Sequence, residues 1–177
     1  TLDTLDITGS GMVTSTATVN VGLTITVGDG STLSLAAAAA AEVVGITATG
    51  TGAVTVTALH STLDADLSDI DAPITIVVSD DATLESGAKI GAVDLTITKT
   101  GDGPYTLDVT ALGTDFALTA AESLSVDTGA TLAMTATQAD GLVATGTGTI
   151  AVTGLEGALS ADLSDLDTDS LTAEADV

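Results

Sequence analysis

Apolar and polar residues alternate in short stretches along the chain. Leu23, Ile25 and Val27 alternate with Thr24 and Thr26. Because successive side chains of a β-strand point to opposite faces, this period of two predicts a strand with aliphatic residues inside and threonines outside.

These stretches recur at similar intervals. A strand of this type begins at each of Leu5, Leu23, Ile46, Ile74, Leu95, Leu124, Leu142 and Leu171. A Gly- or Asp-rich corner and a second strand follow every start except the last. The pattern predicts about eight turns of strand, corner, strand and connector.

A longer repeat supports this organisation. Residues 48–71 match residues 144–167 without gaps at an offset of 96. We therefore expect one repeat array over 1–177. Its quasi-repeats are expected at about 1–45, 46–94, 95–141 and 142–177.

The fold class predicted from these repeats is all-β with short connector helices. Specifically, we expect a parallel β-solenoid of about eight coils, in which like residues stack into aliphatic columns and external Thr ladders. An antiparallel β-sandwich built from many short strands is the alternative.

The connectors are of two kinds. The shorter ones, over 36–45 and 135–141, predict one or two helical turns that end near a glycine. In the longer ones leucine or isoleucine recurs at helical spacing, which predicts a short helix on each. These residues are Leu59, Leu63, Leu67 and Ile70, and then Leu155, Leu159, Leu163 and Leu166.

Composition excludes most chemistries. The net charge is −23, with two lysines, no arginine, no cysteine and one histidine, His60. Nucleic-acid binding lacks its basic surface, and His-dependent triads and thiolate sites lack their residues. No apolar run is long enough to insert into a membrane. We therefore expect a structural protein, not an enzyme.

Clustered carboxylates are the nearest approach to a site. Hard cations such as Ca²⁺ bind carboxylate and carbonyl oxygens, so these clusters are candidate calcium ligands. The candidates are Asp66, Asp69 and Asp71, and in the later repeat Asp162, Asp165 and Asp167. The alternative is a solvated acidic face, and the spacing matches no EF-hand loop. No other cofactor is expected.

Outward Thr-x-Thr pairs are a second candidate surface. A flat ladder of such pairs resembles the surface of ice-binding β-solenoids, although threonine also simply favours strands. The pairs are Thr24 and Thr26, Thr47 and Thr49, and Thr96 and Thr98.

The segment from Thr131 to Asp167 resembles the Ala-, Thr- and Asp-rich strand repeats of large secreted bacterial surface proteins, often described as adhesin-like. The resemblance implies an extracellular structural or adhesive role. We expect a cell-surface fibre, filament or lattice whose main partner is the protein itself, because neither end of the array has the polar cap usual in solenoids. A calcium-dependent adhesin segment and an ice-binding solenoid are the alternatives.

Overall fold

A computed structural model describes residues 4–15, 23–40, 45–59, 66–85, 87–155 and 161–174. The strands are β1 (Thr4–Ile7), β2 (Gly11–Ser15), β3 (Thr24–Val27), β4 (Ser31–Ala36), β5 (Gly45–Ala48), β6 (Ala53–Leu59), β7 (Ile70–Asp71), β8 (Ile74–Val78), β9 (Ala82–Thr83), β10 (Leu95–Lys99), β11 (Tyr105–Asp108), β12 (Leu124–Val126), β13 (Ala130–Thr135), β14 (Ala144–Thr153) and β15 (Leu166–Ala173). The helices are α1 (Ala37–Ala40), α2 (Ala136–Ala139) and a kinked 3₁₀ segment (Thr110–Asp115).

The described strands form three parallel stacks, which we call faces A, B and C. Face A contains β1, β3, β5 and β7. Face B contains β2, β4, β6, β8, β10, β12 and the first halves of β14 and β15, and face C contains β9, β11, β13 and their second halves. All pairings between these strands are parallel. The predicted β-solenoid is confirmed, with about seven turns, and the antiparallel sandwich is wrong.

Columns of aliphatic side chains fill the interior. One inward column of face B consists of Val13, Leu33, Val54, Ile74, Leu95, Leu124, Ala144 and Leu166. All except Val13 are buried, and the buried apolar residues from Ile7 to Leu166 form one cluster. Phe116 belongs to this core, whereas Tyr105 packs partly buried beside the corner glycines Gly101 and Gly103. The solenoid interior is therefore continuous along the stack.

One detail of the predicted stacking is wrong. The strand at Ile74 stacks on Val54 of face B, not on Ile46 of face A. Ile70 takes the place above Ile46, because the chain turns the corner in two residues between β7 and β8. The next predicted coil starts, at Leu95, Leu124 and Leu142, also lead into strands on face B. The predicted start of a further coil at Leu171 is wrong, because Leu171 pairs with Ile150 on face C.

The same shift affects the 24-residue repeat. Ala48 pairs with Val27 on face A, whereas its counterpart Ala144 pairs with Leu124 on face B. The Gly-Thr-Gly corner that follows connects face A to face B in the first copy and face B to face C in the second. The two copies thus have similar local structures that lie one face apart. The quasi-repeat boundaries stay a prediction.

The short connector helices are confirmed as α1 and α2. The longer helices are wrong where the structure describes them, since residues 66–71 and 161–173 form turns and strands. The cause is a side-chain turn: Asp66 accepts hydrogen bonds from Ser68, and Asp162 accepts the same bonds from Ser164. Such bonds compete with helical hydrogen bonding. Leu59, the first residue of the first predicted helix, instead ends β6, and Leu155 is not helical. Residues 60–65, including His60, and 156–160 lie outside the described residues.

The two described α-helices have four residues each. In the described part of the chain, no helix therefore approaches the roughly 20 apolar residues that a membrane-spanning helix needs.

Candidate functional surfaces: an uncharged ladder and linked acidic corners

A single row of hydroxyl side chains runs along face B. We call it the hydroxyl ladder, and it consists of Thr14, Ser34, Thr55, Thr75, Thr96, Ser125 and Thr145. Each residue pairs in register with the next one in the row. Neighbouring parallel strands lie about 4.8 Å apart, so the ladder repeats at that spacing. Alternation in the sequence places each hydroxyl outside, and the parallel register aligns them.

Six of the seven ladder residues are exposed or half-buried, whereas Ser34 is buried at 6% exposure. Among the described residues none of the ladder hydroxyls makes a hydrogen bond to another protein group, whereas corner hydroxyls such as those of Thr51, Thr110 and Ser123 do. No described side-chain nitrogen or oxygen is buried without a partner. The ladder hydroxyls other than that of Ser34 are therefore solvated.

Charge is segregated from this surface. The outward strand positions of face B from Met12 to Thr145 carry no charged residue. Many of the described carboxylates instead lie in the turns and connectors between strands. They include Asp29, Asp69, Asp80, Asp81, Asp94, Asp102, Asp127, Asp140, Asp162 and Asp165. The molecule therefore presents an uncharged strip bordered by acidic edges.

Several of these carboxylates link one coil to the next. Asp29 Oδ1 accepts hydrogen bonds from the backbone N–H of Thr51 at 2.9 Å and from its hydroxyl at 2.8 Å. Asp94 Oδ1 accepts the equivalent pair from Ser123, at 2.7 and 2.9 Å. The Asp81 carboxylate accepts a hydrogen bond from the backbone N–H of Thr106 at 2.8 Å. The Asp140 carboxylate likewise accepts one from the backbone N–H of Asp162 at 2.6 Å. These acidic residues therefore stabilise stacking despite their like charge.

The links alter the acidity of the groups. Hydrogen bonds from Thr51 hold the pKa of Asp29 below its ordinary value, and those from Ser123 do the same for Asp94. Bonds from Thr119 lower the pKa of Glu122. In each case the donor favours the charged form, so these carboxylates are held ionised.

The predicted calcium ligands occupy different surroundings. Burial raises the pKa of Asp66, but bonds from Ser68 and Lys89 outweigh it and lower the pKa overall; the Lys89 Nζ lies 3.1 Å from Asp66 Oδ2. The Asp162 carboxylate accepts from Ser164, which lowers its pKa.

The remaining candidates are exposed and lie apart along the chain's turns and strands: Asp69 in a turn, Asp71 on β7, Asp165 in a turn and Asp167 on β15. Within the described ranges no three acidic or histidine side chains come together as a metal-binding group. Calcium binding stays a prediction.

An open depression of about 310 Å³ lies where face A meets face B. Gly50, Asp71, Pro73, Asp94 and Glu122 are among the residues that line it. Asp94 and Glu122 are already engaged by Ser123 and Thr119. The depression is thus a hydrogen-bonded acidic corner.

The outermost strands expose apolar surface. At the β1 and β2 end, Leu5 is 37%, Met12 69% and Val13 44% exposed. At the other end Leu171 is 40% exposed on β15. The inward column of face B therefore reaches solvent at Val13, and that of face C reaches solvent at Leu171, whereas Leu166 at the far end of the face B column is buried.

Sequence reasoning missed the links between coils. The carboxylates and their partners lie 22 to 29 residues apart in the chain, and only the stacking register brings them together. A Ser or Thr at the next corner was the signal that could have found two of them, at Thr51 and Ser123.

The class of protein follows from this architecture: the chain is a parallel β-solenoid repeat protein. No protein-family model, curated protein or solved structure matched the chain in the comparisons. The inference of function therefore rests on the residues and surfaces described above.

Proposed function

We propose that this protein is an extracellular structural protein that forms or extends a bacterial surface fibre, filament or lattice by end-to-end stacking of its solenoid. The observation that supports the proposal is the exposure of inward aliphatic residues on strands at opposite ends of the described stack, Val13 on face B and Leu171 on face C. A fibre needs no catalytic group, and hydrogen bonds between parallel strands would run along its axis and carry tension.

If two copies stack end to end, the register of the stack predicts which residues meet at the junction. Leu166 occupies the last position of the inward face B column, and Val13 occupies the first. A second copy that continues the column would place its Val13 over Leu166. Its Thr14 would then lie over Asp167, because Asp167 continues the hydroxyl ladder beyond Thr145.

Cysteine cross-linking tests this junction. The chain contains no cysteine, so the double variant T14C/D167C reports only the introduced pair. Within one molecule the two positions lie seven strand spacings apart, or roughly 34 Å, which no disulfide can bridge. Across the proposed junction they lie about 4.8 Å apart, within disulfide range. We expect oxidation to give a ladder of covalent oligomers.

The matched control is D6C/D167C. Asp6 also lies on an outermost strand, but on face A, so its cysteine would not face Cys introduced at position 167. Each single-cysteine variant controls for random collision. Monomer only, or equal cross-linking of both double variants, would contradict end-to-end stacking in this register.

A second candidate function, ice binding, is favoured by the hydroxyl ladder. Its uncharged, solvated hydroxyls at a regular spacing suit a lattice of ordered water. Ice binding would be supported if the parent protein shows thermal hysteresis, if T75K/T96K abolishes it, and if the face C variant T131K/T149K retains it. Absence of thermal hysteresis in the parent protein would contradict ice binding.

A further inference from the structure

Three Asp–Gly dipeptides lie at corners of the solenoid: Asp29–Gly30, Asp102–Gly103 and Asp140–Gly141. An aspartate followed by glycine is prone to rearrange, because glycine has no side chain to hinder attack of its backbone nitrogen on the aspartate side chain. All three aspartates are exposed. Exposure therefore does not distinguish the three dipeptides, whereas their hydrogen bonds do.

The Asp29–Gly30 dipeptide is held at both of the groups that would react. Asp29 Oδ1 accepts from the backbone N–H and the hydroxyl of Thr51 in the next coil, at 2.9 and 2.8 Å. The same hydroxyl oxygen accepts from the N–H of Gly30 at 3.0 Å. The bonds to Thr51 also lower the pKa of Asp29, and an ionised carboxylate is a poorer electrophile than the neutral acid. The side chain must lose these bonds before it can react with the Gly30 nitrogen.

The Asp140–Gly141 dipeptide is held by a similar pair of bonds. Asp140 Oδ1 accepts from the backbone N–H of Asp162 at 2.6 Å, and the N–H of Gly141 donates to the Asp162 carbonyl at 3.0 Å. Both groups that would react are thus bound to one residue of the following coil. The stacking of coils protects this dipeptide as it protects Asp29–Gly30.

The Asp102–Gly103 dipeptide lacks such bonds. Among the described residues, neither the Asp102 side chain nor the N–H of Gly103 makes a hydrogen bond. The N–H groups of Thr100 and Tyr105 on either side donate to carbonyls of neighbouring coils, at 2.9 and 3.0 Å. The backbone is therefore anchored around this dipeptide, while both groups that would react stay free.

We propose that Asp102–Gly103 is a site at which the protein modifies its own backbone, through a succinimide to isoaspartate. The Gly103 nitrogen forms a bond to Asp102 Cγ and loses its proton, and the hydroxyl of the neutral side-chain acid leaves with that proton as water. A water molecule then adds to one of the two ring carbonyls. One opening restores aspartate, and the other gives isoaspartate, whose backbone runs through the side chain. The inference does not rest on the proposed stacking function.

Incubation of the whole chain in heavy-oxygen water tests this site. Each closure and opening of the ring leaves one heavy oxygen at the aspartate concerned, and fragmentation mass spectrometry locates it. In the folded protein we expect labelling at Asp102 to be faster than at Asp29 or Asp140 by about ten-fold or more, a factor equivalent to about 1.4 kcal/mol. In the same protein unfolded by urea, we expect the three rates to become similar.

The variant Thr51→Val tests the protection of Asp29. It removes the hydroxyl that bonds both Asp29 and Gly30, so labelling at Asp29 should rise about ten-fold while labelling at Asp102 stays the same. Thr128→Val is the matched control, because the Thr128 hydroxyl lies at another corner and bonds that of Thr147, not a carboxylate.

Several outcomes would overturn the proposal. One is equal labelling of the three aspartates in the folded protein, and another is labelling of Asp102 only when the chain is unfolded. Unchanged labelling at Asp29 in folded Thr51→Val would show that the hydrogen bonds do not protect it. An equal rise at Asp29 in Thr128→Val would mean that general loosening explains the effect. If Thr51→Val fails to fold, the comparison of folded and unfolded parent still decides the proposal.

Discussion

Glycine residues at the corners bring consecutive coils into close contact. The N–H of Gly28 donates to the carbonyl of Ile7, one coil below, at 2.8 Å. A Cβ on Gly28 would lie 2.7 Å from that carbonyl oxygen, closer than van der Waals contact permits. Gly28 is therefore required by the spacing between coils.

Substitution of this glycine has a clear expected outcome. Gly28→Ala should lower the free energy of unfolding by about 1–3 kcal/mol, because the backbone oxygen cannot move aside without disturbing the stack. Gly45→Ala is the matched control, since its Cβ would lie 3.9 Å from the nearest atom. Urea denaturation measures both. Equal effects of the two substitutions would contradict the close approach at Gly28.

The carboxylate links between coils predict a second residue-scale effect. Asp94→Asn weakens the bonds to Ser123, and at neutral pH it should cost about 0.5–1 kcal/mol after allowance for solvent screening. Asp80→Asn, at an exposed corner with no side-chain hydrogen bond among the described residues, should change stability little.

Acid should remove the difference between the parent and D94N. Because hydrogen bonds lower the pKa of Asp94 in the folded state, their stabilising effect is complete above the ordinary carboxyl pKa and is lost as pH falls through the lowered value. Denaturation of parent and variant between pH 7 and pH 2 checks this sign. A difference that widens with acid would refute the link.

Among elements, the sequence predicted those that depend on local patterns. Alternation identified strands such as β3 and β8, and glycine marked the corners beside them. The alternation of apolar and polar residues did not predict that β8 lies on face B. This position depends on the two-residue corner between β7 and β8, whereas the sequence pattern is alike on faces A and B.

The helical spacing in the long connectors was misleading for a physical reason. Leu67 and Ile70 are buried, as a helical stripe would require. However, the Asp66–Ser68 turn places both inside through a tight bend, with the N–H of Ile70 donating to the Leu67 carbonyl at 3.2 Å. Spacing alone does not distinguish a helix from such a corner.

Helix α2 depends on one buried amide. Gln138 Oε1 accepts from the N–H of Thr135 at 2.8 Å, and its Nε2 donates to the carbonyl of Val109 in the preceding coil at 2.8 Å. Gln138→Leu should cost about 2 kcal/mol, because it removes the side-chain acceptor of the Thr135 N–H and one of the two donors to the Val109 carbonyl, which keeps the N–H of Leu112 at 3.0 Å. Thr137→Ala, on the exposed side of α2, is the control and should have little effect in urea denaturation. A small cost for Gln138→Leu would show that these groups find other partners.

At the scale of the whole molecule, stability reflects a balance between a continuous apolar interior and a net charge of −23. Like charges destabilise a compact state, and salt screens them. The melting temperature of the monomer should therefore rise between about 0.01 M and 0.5 M NaCl. Calorimetry at a concentration where sedimentation finds only monomer makes the measurement. A melting temperature that falls with salt would indicate that attractive charge pairs dominate.

Fibre diffraction from concentrated protein at high salt tests the central claim most directly. If solenoids stack end to end, the β-strands lie across the fibre axis. Filaments with a meridional reflection at about 4.8 Å, the spacing of stacked parallel strands, are therefore expected. Filaments with that reflection on the equator, or only discrete particles under the same conditions, would contradict it.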